Sequence, residues 1–264
     1  MGGLGTVTGF FETLRKIAAL PDDACGAPWE WPGHTGPTLD IRNALYMSLL
    51  DEQAAAVTAP GPKTEAAATI VLAQRAFGEL RGLLAGVPDD ALDSVPLEGE
   101  WSLREILTHL LEVERSYFKQ TAYASKRSDE EPIVTDRPPP PTAEETAGGV
   151  AEWVDRLAEA RAASRELIDL DAGLLTRPTR WVNHEVDVRF RLHRFGVHIG
   201  EHMVQCEKTL AWLRLEPREA ARIARLISRE RGGHELLSDA ATLERLDAAH
   251  ADRLATVAAA VRPA

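Results

Sequence analysis

Apolar residues recur at the helical period of about 3.6 residues along nearly the whole chain, whereas strand-like alternation is almost absent. Clusters of proline, glycine and aspartate break this pattern and mark where helices end. A short β-hairpin or extended loop is predicted in one segment only, residues 176–188. The fold class predicted is therefore all-α, with helices over about residues 7–20, 39–57, 64–84, 102–125, 142–169, 189–213, 217–231 and 238–261.

The helix that begins after Ser102 has the clearest start signal. Ser102 and Glu105 form a Ser-x-x-Glu capping box, and Trp101 and Ile106 occupy the two positions of a hydrophobic staple. The apolar stripe that follows turns His109 toward the core. The sequence therefore defines both the start of this helix and the direction of its histidine.

A charged, proline-rich segment separates this helix from the next one. It ends in four consecutive prolines, residues 138–141, which lack backbone donors and hold the chain extended. Thr142 and Glu145 then form a second capping box. We predict a long surface loop, followed by one continuous helix to about Asp169.

The composition of the chain argues against several classes of function. The formal net charge is -11 and the pI is near 5.3, so the chain as a whole repels phosphate backbones and anionic lipid surfaces. Two cysteines, Cys25 and Cys206, occur without a Cys-x-x-Cys pair, which argues against a disulfide framework and favours a reducing compartment. No apolar run approaches about 20 residues, and no signal-like segment is present. We expect a cytoplasmic protein that binds neither nucleic acid nor membrane.

His198 and His202 lie four residues apart, on the border of the apolar face of the predicted helix 189–213. If both helices form, these two imidazoles and His109 can converge on one metal ion. Taken singly, the position of His109 and the spacing of His198 and His202 each have an explanation that involves no metal. A lone histidine on an apolar stripe is more often a hydrogen-bonded core residue, and a pair at this spacing also occurs on ordinary surfaces.

The other five histidines show no such arrangement. His193 precedes His198 by five residues, which rotates it about 140° away from the ligand face. His193 is therefore more simply interpreted as solvent-exposed or as a residue that supports a metal ligand. His184 lies in the predicted loop and could rim a pocket. No partner is evident in the sequence for His34, His234 and His250.

The run from His198 to His202 also matches His-x-x-Glu-His, the pattern of inverted zincin peptidases. In that pattern Glu201 is the general base, and a third, carboxylate ligand lies on a helix well downstream. The 62 residues after His202 are too few for that fold. A hydrolase of the inverted zincin type is therefore a remote alternative.

Residues 100–110, taken with the downstream His198-x-x-x-His202-x-x-Gln205, resemble the DinB/YfiT-like superfamily of four-helix-bundle metalloproteins. In that family a Trp-Ser or Trp-Thr opens the second helix, whose histidine is one ligand, and a His-x-x-x-His on the fourth helix supplies the other two. The joint order and spacing of these short motifs carry the specificity. The resemblance implies a metal triad of His109, His198 and His202.

The same resemblance implies a four-helix bundle with extra N- and C-terminal helices. The metal-binding bundle would span residues 63–213, between an N-terminal helical extension over 1–62 and a C-terminal helical extension over 214–264. Both extensions exceed the usual family core. We expect them to pack on the bundle or to form the interface of a homodimer, where either could cover or reshape the site.

Three neutral imidazoles leave one coordination position for water or substrate, as in catalytic zinc sites. A divalent cation there lowers the pKa of a bound water or thiol toward neutrality. Characterised relatives use a low-molecular-weight thiol (bacillithiol, mycothiol or glutathione) in S-transfer or isomerisation. The resemblance therefore implies a metal-dependent thiol S-transferase that acts on a small electrophilic molecule. The metal stays open among zinc, nickel and iron, since imidazole suits all of them.

Two further sets of residues bear on this chemistry. Glu112, Glu201 and Gln205 are the candidates to hold the second nitrogen of an imidazole, although each is more simply interpreted as a solvated helix-face residue. Cys206 follows His202 by one turn but lies in the apolar stripe, so we expect it to be buried and inert, with a raised pKa. No residue is assigned a catalytic role.

The alternative function is not enzymatic. In a helical stress-response or binding module, the metal would only clip two helices together. Such a structural site is typically closed by a fourth protein ligand, whereas an open position favours catalysis. The two functions therefore predict different surroundings for the three histidines.

Overall fold

The computed structural model describes residues 7–31 and 35–261, and the side chains of these residues except 7 and 8. Within these ranges the fold is all-α apart from two very small antiparallel sheets, as predicted. Short 3-10 turns lie at Ala24–Gly26, Asp89–Ala91 and Ser164–Leu167. The described helices are α1 (Val7–Ala18), α2 (Ile41–Thr58), α3 (Glu65–Leu84), α4 (Leu103–Lys126), α5 (Ala143–Thr146), α6 (Val150–Ala163), α7 (Ala172–Leu175), α8 (Val188–Trp212), α9 (Glu219–His234) and α10 (Ala240–Val261).

The predicted hairpin is confirmed. Pro178–Trp181 (β3) pairs antiparallel with His184–Asp187 (β4), and Val182 turns the chain between them with a φ of 53°. A second pairing, Pro28–Trp29 (β1) with Leu39–Asp40 (β2), is only two residues long. Its strands are too short to show any alternation, so the sequence predicts only a turn-rich segment there.

The prediction of one continuous helix over residues 142–169 is wrong. The capping box forms, since the Thr142 side chain accepts a hydrogen bond from the backbone N–H of Glu145, but α5 ends after one turn. Gly148 then adopts a φ of 92°, which a helix excludes and which glycine reaches without steric cost. The chain re-enters a helix at Val150, where α6 begins.

The predicted helix end before Gly232 is also wrong, because α9 continues through Gly232 and Gly233 to His234. A Cβ atom built on Gly78 of α3 would lie 2.4 Å from the carbonyl oxygen of Ser228 and 3.0 Å from Cα of Gly232. The two helices therefore approach too closely at this point for side chains. Glycine inside a helix here serves close packing and not termination.

The described chain divides into two compact units. The terminal unit comprises the described residues of Met1–Pro60, Gly78–Val87 and Glu216–Ala264, and the central unit comprises Gly61–Phe77 and Pro88–Leu215. Helix α3 contributes its first part to the central unit and its last part to the terminal unit. The division of the sequence at residues 62 and 213 stays a prediction.

The four-helix bundle lies in the central unit and consists of α4, α6, α8 and the first part of α3. Helix α4 packs against both α6 and α8. A Cβ atom on Gly196 of α8 would lie 3.2 Å from Cα of Ala73 in α3, so these two backbones are also close. Arg161 of α6 forms a buried ion pair with Glu114 of α4 and donates a hydrogen bond to Gln74 of α3. This pair ties three bundle helices together.

The terminal unit contains α1, α2, α9 and α10, packed around the buried carboxylate of Glu52. Arg231 Nε lies 2.9 Å from this carboxylate and His234 Nε2 lies 2.8 Å from it. His250 Nε2 lies 3.4 Å from its other oxygen. Two histidines for which the sequence shows no partner therefore share one buried acid.

Within the described ranges, no helix combines the length and hydrophobicity needed to cross a membrane.

Candidate metal centre

The three predicted histidines converge in the central unit. Nε2 of His198 lies 3.0 Å from Nε2 of His202 and 3.3 Å from Nε2 of His109. One ring nitrogen from each residue lies within 4.8 Å of the others. A tetrahedral zinc ion with Zn–N distances of about 2.0–2.1 Å spaces its nitrogen ligands about 3.3 Å apart. The two spacings that involve His198 are therefore close to those around one first-row dication, and the group as a whole could hold a metal ion.

Local sequence signals position both helices that carry the histidines. At the start of α4, Oγ of Ser102 accepts a hydrogen bond from the N–H of Glu105, whose carboxylate accepts one from the N–H of Ser102 at 2.7 Å. This confirms the predicted capping box, two turns before His109. At the start of α8, the Asp187 side chain accepts a hydrogen bond from the N–H of Phe190 at 2.8 Å. Both helix starts are thus fixed by side-chain caps.

The indole of Trp101 covers one side of the group. Its ring is nearly parallel to that of His202, with centroids 6.4 Å apart and an interplanar angle of 9°, and its centroid lies 5.3 Å from that of His109. On the other side, the ring of Tyr117 meets the ring of His198 edge-on at 5.6 Å. Each of the three imidazoles therefore has an aromatic ring packed against it, which restricts its rotation.

Of the three candidate supporting residues, Gln205 makes a direct contact. Its Oε1 atom lies 2.8 Å from Nδ1 of His202. Because an amide oxygen only accepts hydrogen bonds, Nδ1 carries the proton and Nε2 keeps its lone pair for the group. Glu201 points elsewhere, since both of its oxygens accept hydrogen bonds from Arg194 at 3.0 Å. Glu112 lines the adjacent cavity.

Electrostatics keeps two of the imidazoles neutral. Burial, together with the neighbouring rings of His202 and His109, lowers the pKa of His198 to about 3. Burial, followed by the proximity of His202, also lowers the pKa of His109. Only a neutral imidazole offers a lone pair to a metal. These two nitrogens are therefore available at neutral pH.

The group opens into a cavity of about 550 Å³. Tyr117 and Trp181 form part of its wall and are joined by a hydrogen bond of 3.2 Å from the indole N–H to the phenol oxygen. Gln120 of α4 binds both the N–H and the carbonyl of Thr135, and thereby ties the predicted surface loop to the bundle. Part of that loop, including Val134 and Pro138, lines the cavity. Its size is that of a small-molecule site.

Sequence reasoning missed the basic side chains of this cavity. Its lining includes four arginines: Arg137, Arg180, Arg191 and Arg194. A signal for one of them exists, because Arg191 precedes His198 by seven residues and two full turns place it on the same helix face. The spacing of the histidines alone does not reveal it.

The remaining predicted residues lie outside the group. His193 is exposed, as expected, and the exposed His184 does not line the cavity. His34 lies outside the described residues. Cys206 is fully buried, and burial raises the pKa of its thiol to about 12, as expected, whereas its inertness stays a prediction.

These features define a class of protein: a helical bundle in which a capped helix and a later histidine-pair helix bring three imidazoles together beside a cavity. The chain belongs to the DinB superfamily, whose family model matches residues 72–206, just over half of the 264 residues. The match includes all three histidines. The predicted family is thus confirmed. Among curated proteins, no sequence matches this chain.

Proposed function

We propose that this protein is a metal-dependent transferase in which His109, His198 and His202 hold one divalent cation and a low-molecular-weight thiol reacts with a small electrophile in the adjacent cavity. The observation that carries the proposal is the convergence of three Nε2 atoms at the wall of that cavity. The choice of a thiol as reactant, of a divalent metal and of a transfer reaction is suggested by membership of the DinB superfamily.

The donor set fits a cation better than it fits a hydrogen-bonded cluster. A proton on one Nε2 atom can be shared with only one neighbour, so three facing Nε2 atoms cannot all be satisfied by one another. The Nδ1 proton of His202 is already committed to Gln205. A divalent cation held by His109, His198 and His202 would satisfy all three nitrogens and would supply Lewis-acid chemistry that lowers the pKa of a thiol.

The side chains around the site would position and shield the reactants. Trp101 contacts the rings of His109 and His202, Tyr117 contacts the ring of His198, and His198 itself is buried. The hydrogen bonds between Gln120 and Thr135 hold the loop that walls the cavity. Burial of this kind around His198 strengthens electrostatic interactions at that end of the cavity.

The surroundings favour catalysis over a purely structural metal. Among the described residues, no fourth histidine, cysteine or carboxylate joins the group, and the histidines face a cavity instead. The geometry also gives no support to an inverted zincin hydrolase, because the two oxygens of Glu201 are occupied by Arg194. The cytoplasmic location, the absence of nucleic-acid and membrane partners, and the homodimer stay predictions.

The proposal is tested by supplying metal-loaded protein with bacillithiol, mycothiol or glutathione and with chlorodinitrobenzene as the electrophile. We expect turnover with at least one thiol, and we expect His202→Ala to abolish it. His193→Ala is the matched control, because this exposed histidine lies on the same helix and should leave turnover unchanged. Absence of turnover with every thiol at full metal occupancy would favour the non-enzymatic module.

A further inference from the structure

Arg191 is a buried cation without a hydrogen-bonding or ionic partner among the described residues. Its side chain lines the cavity with only 5% of its surface exposed, and it makes no hydrogen bond or ion pair with any residue of the described ranges. Its guanidinium carbon lies 5.3 Å from the ring centroid of Tyr117, which is its only described polar or aromatic contact. The buried arginines Arg161 and Arg231, by contrast, each bind a carboxylate. Burying an unpaired charge is costly, so a partner is expected.

The position of Arg191 relates it to the histidine group. Seven residues separate it from His198, which is a rise of about 10.5 Å along the same face of α8. Both contact the ring of Tyr117, whose centroid lies 5.3 Å from the guanidinium carbon and 5.6 Å from the centroid of the His198 ring. The guanidinium of Arg191 and the three imidazoles thus line the same cavity.

The charge of the cavity wall points to an anionic ligand. Four arginines and two glutamates line it, and one arginine, Arg194, is neutralised by Glu201. Arg137, Arg180 and Arg191 then face only Glu112, in a chain whose net charge is -11. Burial lowers the pKa of Arg191, and the nearby charge of Arg137 lowers it further. Positive charge concentrated in a cleft of an acidic protein attracts anions specifically to that cleft.

We propose that Arg191 binds a carboxylate of the small molecule that occupies the cavity, so that the ligand is an organic acid whose anionic group lies at Arg191 while another part of it reaches the three histidines. A low-molecular-weight thiol that carries a carboxylate, or an electrophile that carries one, fits this description. The identity of this ligand as a reactant rests on the proposed function, whereas the carboxylate site itself does not.

The test is calorimetric titration with two pairs of probes, each pair consisting of an acid and the ester in which every carboxylate of that acid is masked. Glutathione and its diethyl ester represent the thiol as the source of the carboxylate. The anion 4-chloro-3-nitrobenzoate and its methyl ester represent the electrophile. Each titration uses the full chain, both free of metal and supplemented with zinc, so that failure of metal binding or turnover does not decide the outcome.

Arg191→Met removes the charge and keeps the unbranched stem. Because its guanidinium has no described partner, this variant should fold with an equal or higher Tm. Arg191→Lys keeps the charge without the planar donor pair and should retain part of the affinity. Arg189→Met is the matched control, since Arg189 lies on the same helix, pairs with Glu65 and does not line the cavity.

We expect at least one acid to bind about 10- to 100-fold more tightly than its ester, and we expect Arg191→Met to erase that preference while Arg189→Met keeps it. The pair of probes that shows the preference identifies whether the thiol or the electrophile carries the carboxylate that Arg191 binds. A preference that survives Arg191→Met would overturn the proposal. Equal affinity for acid and ester, or no binding by either acid in either metal state, would overturn it as well.

Discussion

Nδ1 of His202 lies 2.8 Å from Oε1 of Gln205, three residues further along the same helix. The contact fixes which nitrogen of the imidazole carries the proton, and thereby directs the Nε2 lone pair toward His198 and His109. A side chain that follows the histidine pair in sequence thus prepares one of the three donor atoms.

Replacing Gln205 with leucine should weaken metal affinity by roughly 10- to 100-fold, because the His202 ring loses the acceptor that orients it. Competition titration against a chromophoric chelator measures the effect. Val204→Ala, at an exposed neighbouring position, is the control and should leave affinity unchanged. An unaltered affinity in the leucine variant would show that the hydrogen bond does not prepare the site.

Both cysteines should be unreactive in the native protein. Cys25 and Cys206 are buried, and burial raises the pKa of each thiol. Because the thiolate is the reactive form, Ellman's reagent should modify neither residue at neutral pH until the chain is unfolded. We also expect Cys206→Ala to keep metal affinity and any thiol transfer nearly intact. Rapid native labelling, or loss of transfer in this variant, would mean that Cys206 takes part in the chemistry.

Glu52 should contribute strongly to stability at neutral pH. Burial alone would raise its pKa, but the hydrogen bond from His234 and the charge of Arg231 bring the pKa down to about 2. A carboxylate with a depressed folded-state pKa stabilises the fold fully above its unfolded pKa of about 4.3, and this contribution is lost as the pH falls toward 2. Glu52→Gln should therefore lower the free energy of unfolding at pH 7 by about 3–5 kcal/mol.

Urea denaturation at pH 7 and at pH 3 measures this contribution. The difference between wild type and Glu52→Gln should shrink at the lower pH, because the wild-type carboxylate is then losing its advantage. Asp51→Asn is the control, since Asp51 pairs with Arg253 near the surface and should cost less than about 1 kcal/mol. A difference between wild type and Glu52→Gln that is independent of pH would contradict the assigned role.

Gly78→Ala should destabilise the protein by about 1–3 kcal/mol or more, because the added methyl group would meet the backbone of α9 at Ser228. Gly200→Ala provides the comparison. Gly200 is also helical, but no atom lies within 4 Å of the place that an added methyl group would take, so alanine there should stabilise by about 0.5–1 kcal/mol. Thermal unfolding of the two variants distinguishes close packing from helix propensity. Equal effects would refute the packing argument.

Local signals in the sequence were sufficient to predict most of the helices. The capping box at Ser102 and Glu105 fixed the start of α4, and the four-residue spacing of His198 and His202 placed both imidazoles on one face. The breaks were harder to predict. Gly148 ends a helix because it adopts a φ of 92°, whereas Gly232 lies inside one where α3 approaches closely, and no local pattern records that approach.

The sequence predicts the three histidines but not most of the other residues that line the cavity. Arg191 shares its helix face with His198, but an arginine at the start of a helix gives no sign of being buried without a partner. The contact of Gln120 with Thr135 joins a helix to a proline-rich loop 15 residues away, and loop conformation of this kind is set by tertiary contacts. Residues that define a cavity through such contacts require a structure.

The central claim, that three imidazoles hold one metal ion, is tested most directly by the metal content of the untagged protein after saturation with zinc and removal of unbound ions. The structure predicts about one ion per chain for the wild type and for His193→Ala, and almost none for His198→Ala with its helical circular dichroism retained. One ion per chain retained by a folded His198→Ala variant would contradict the claim.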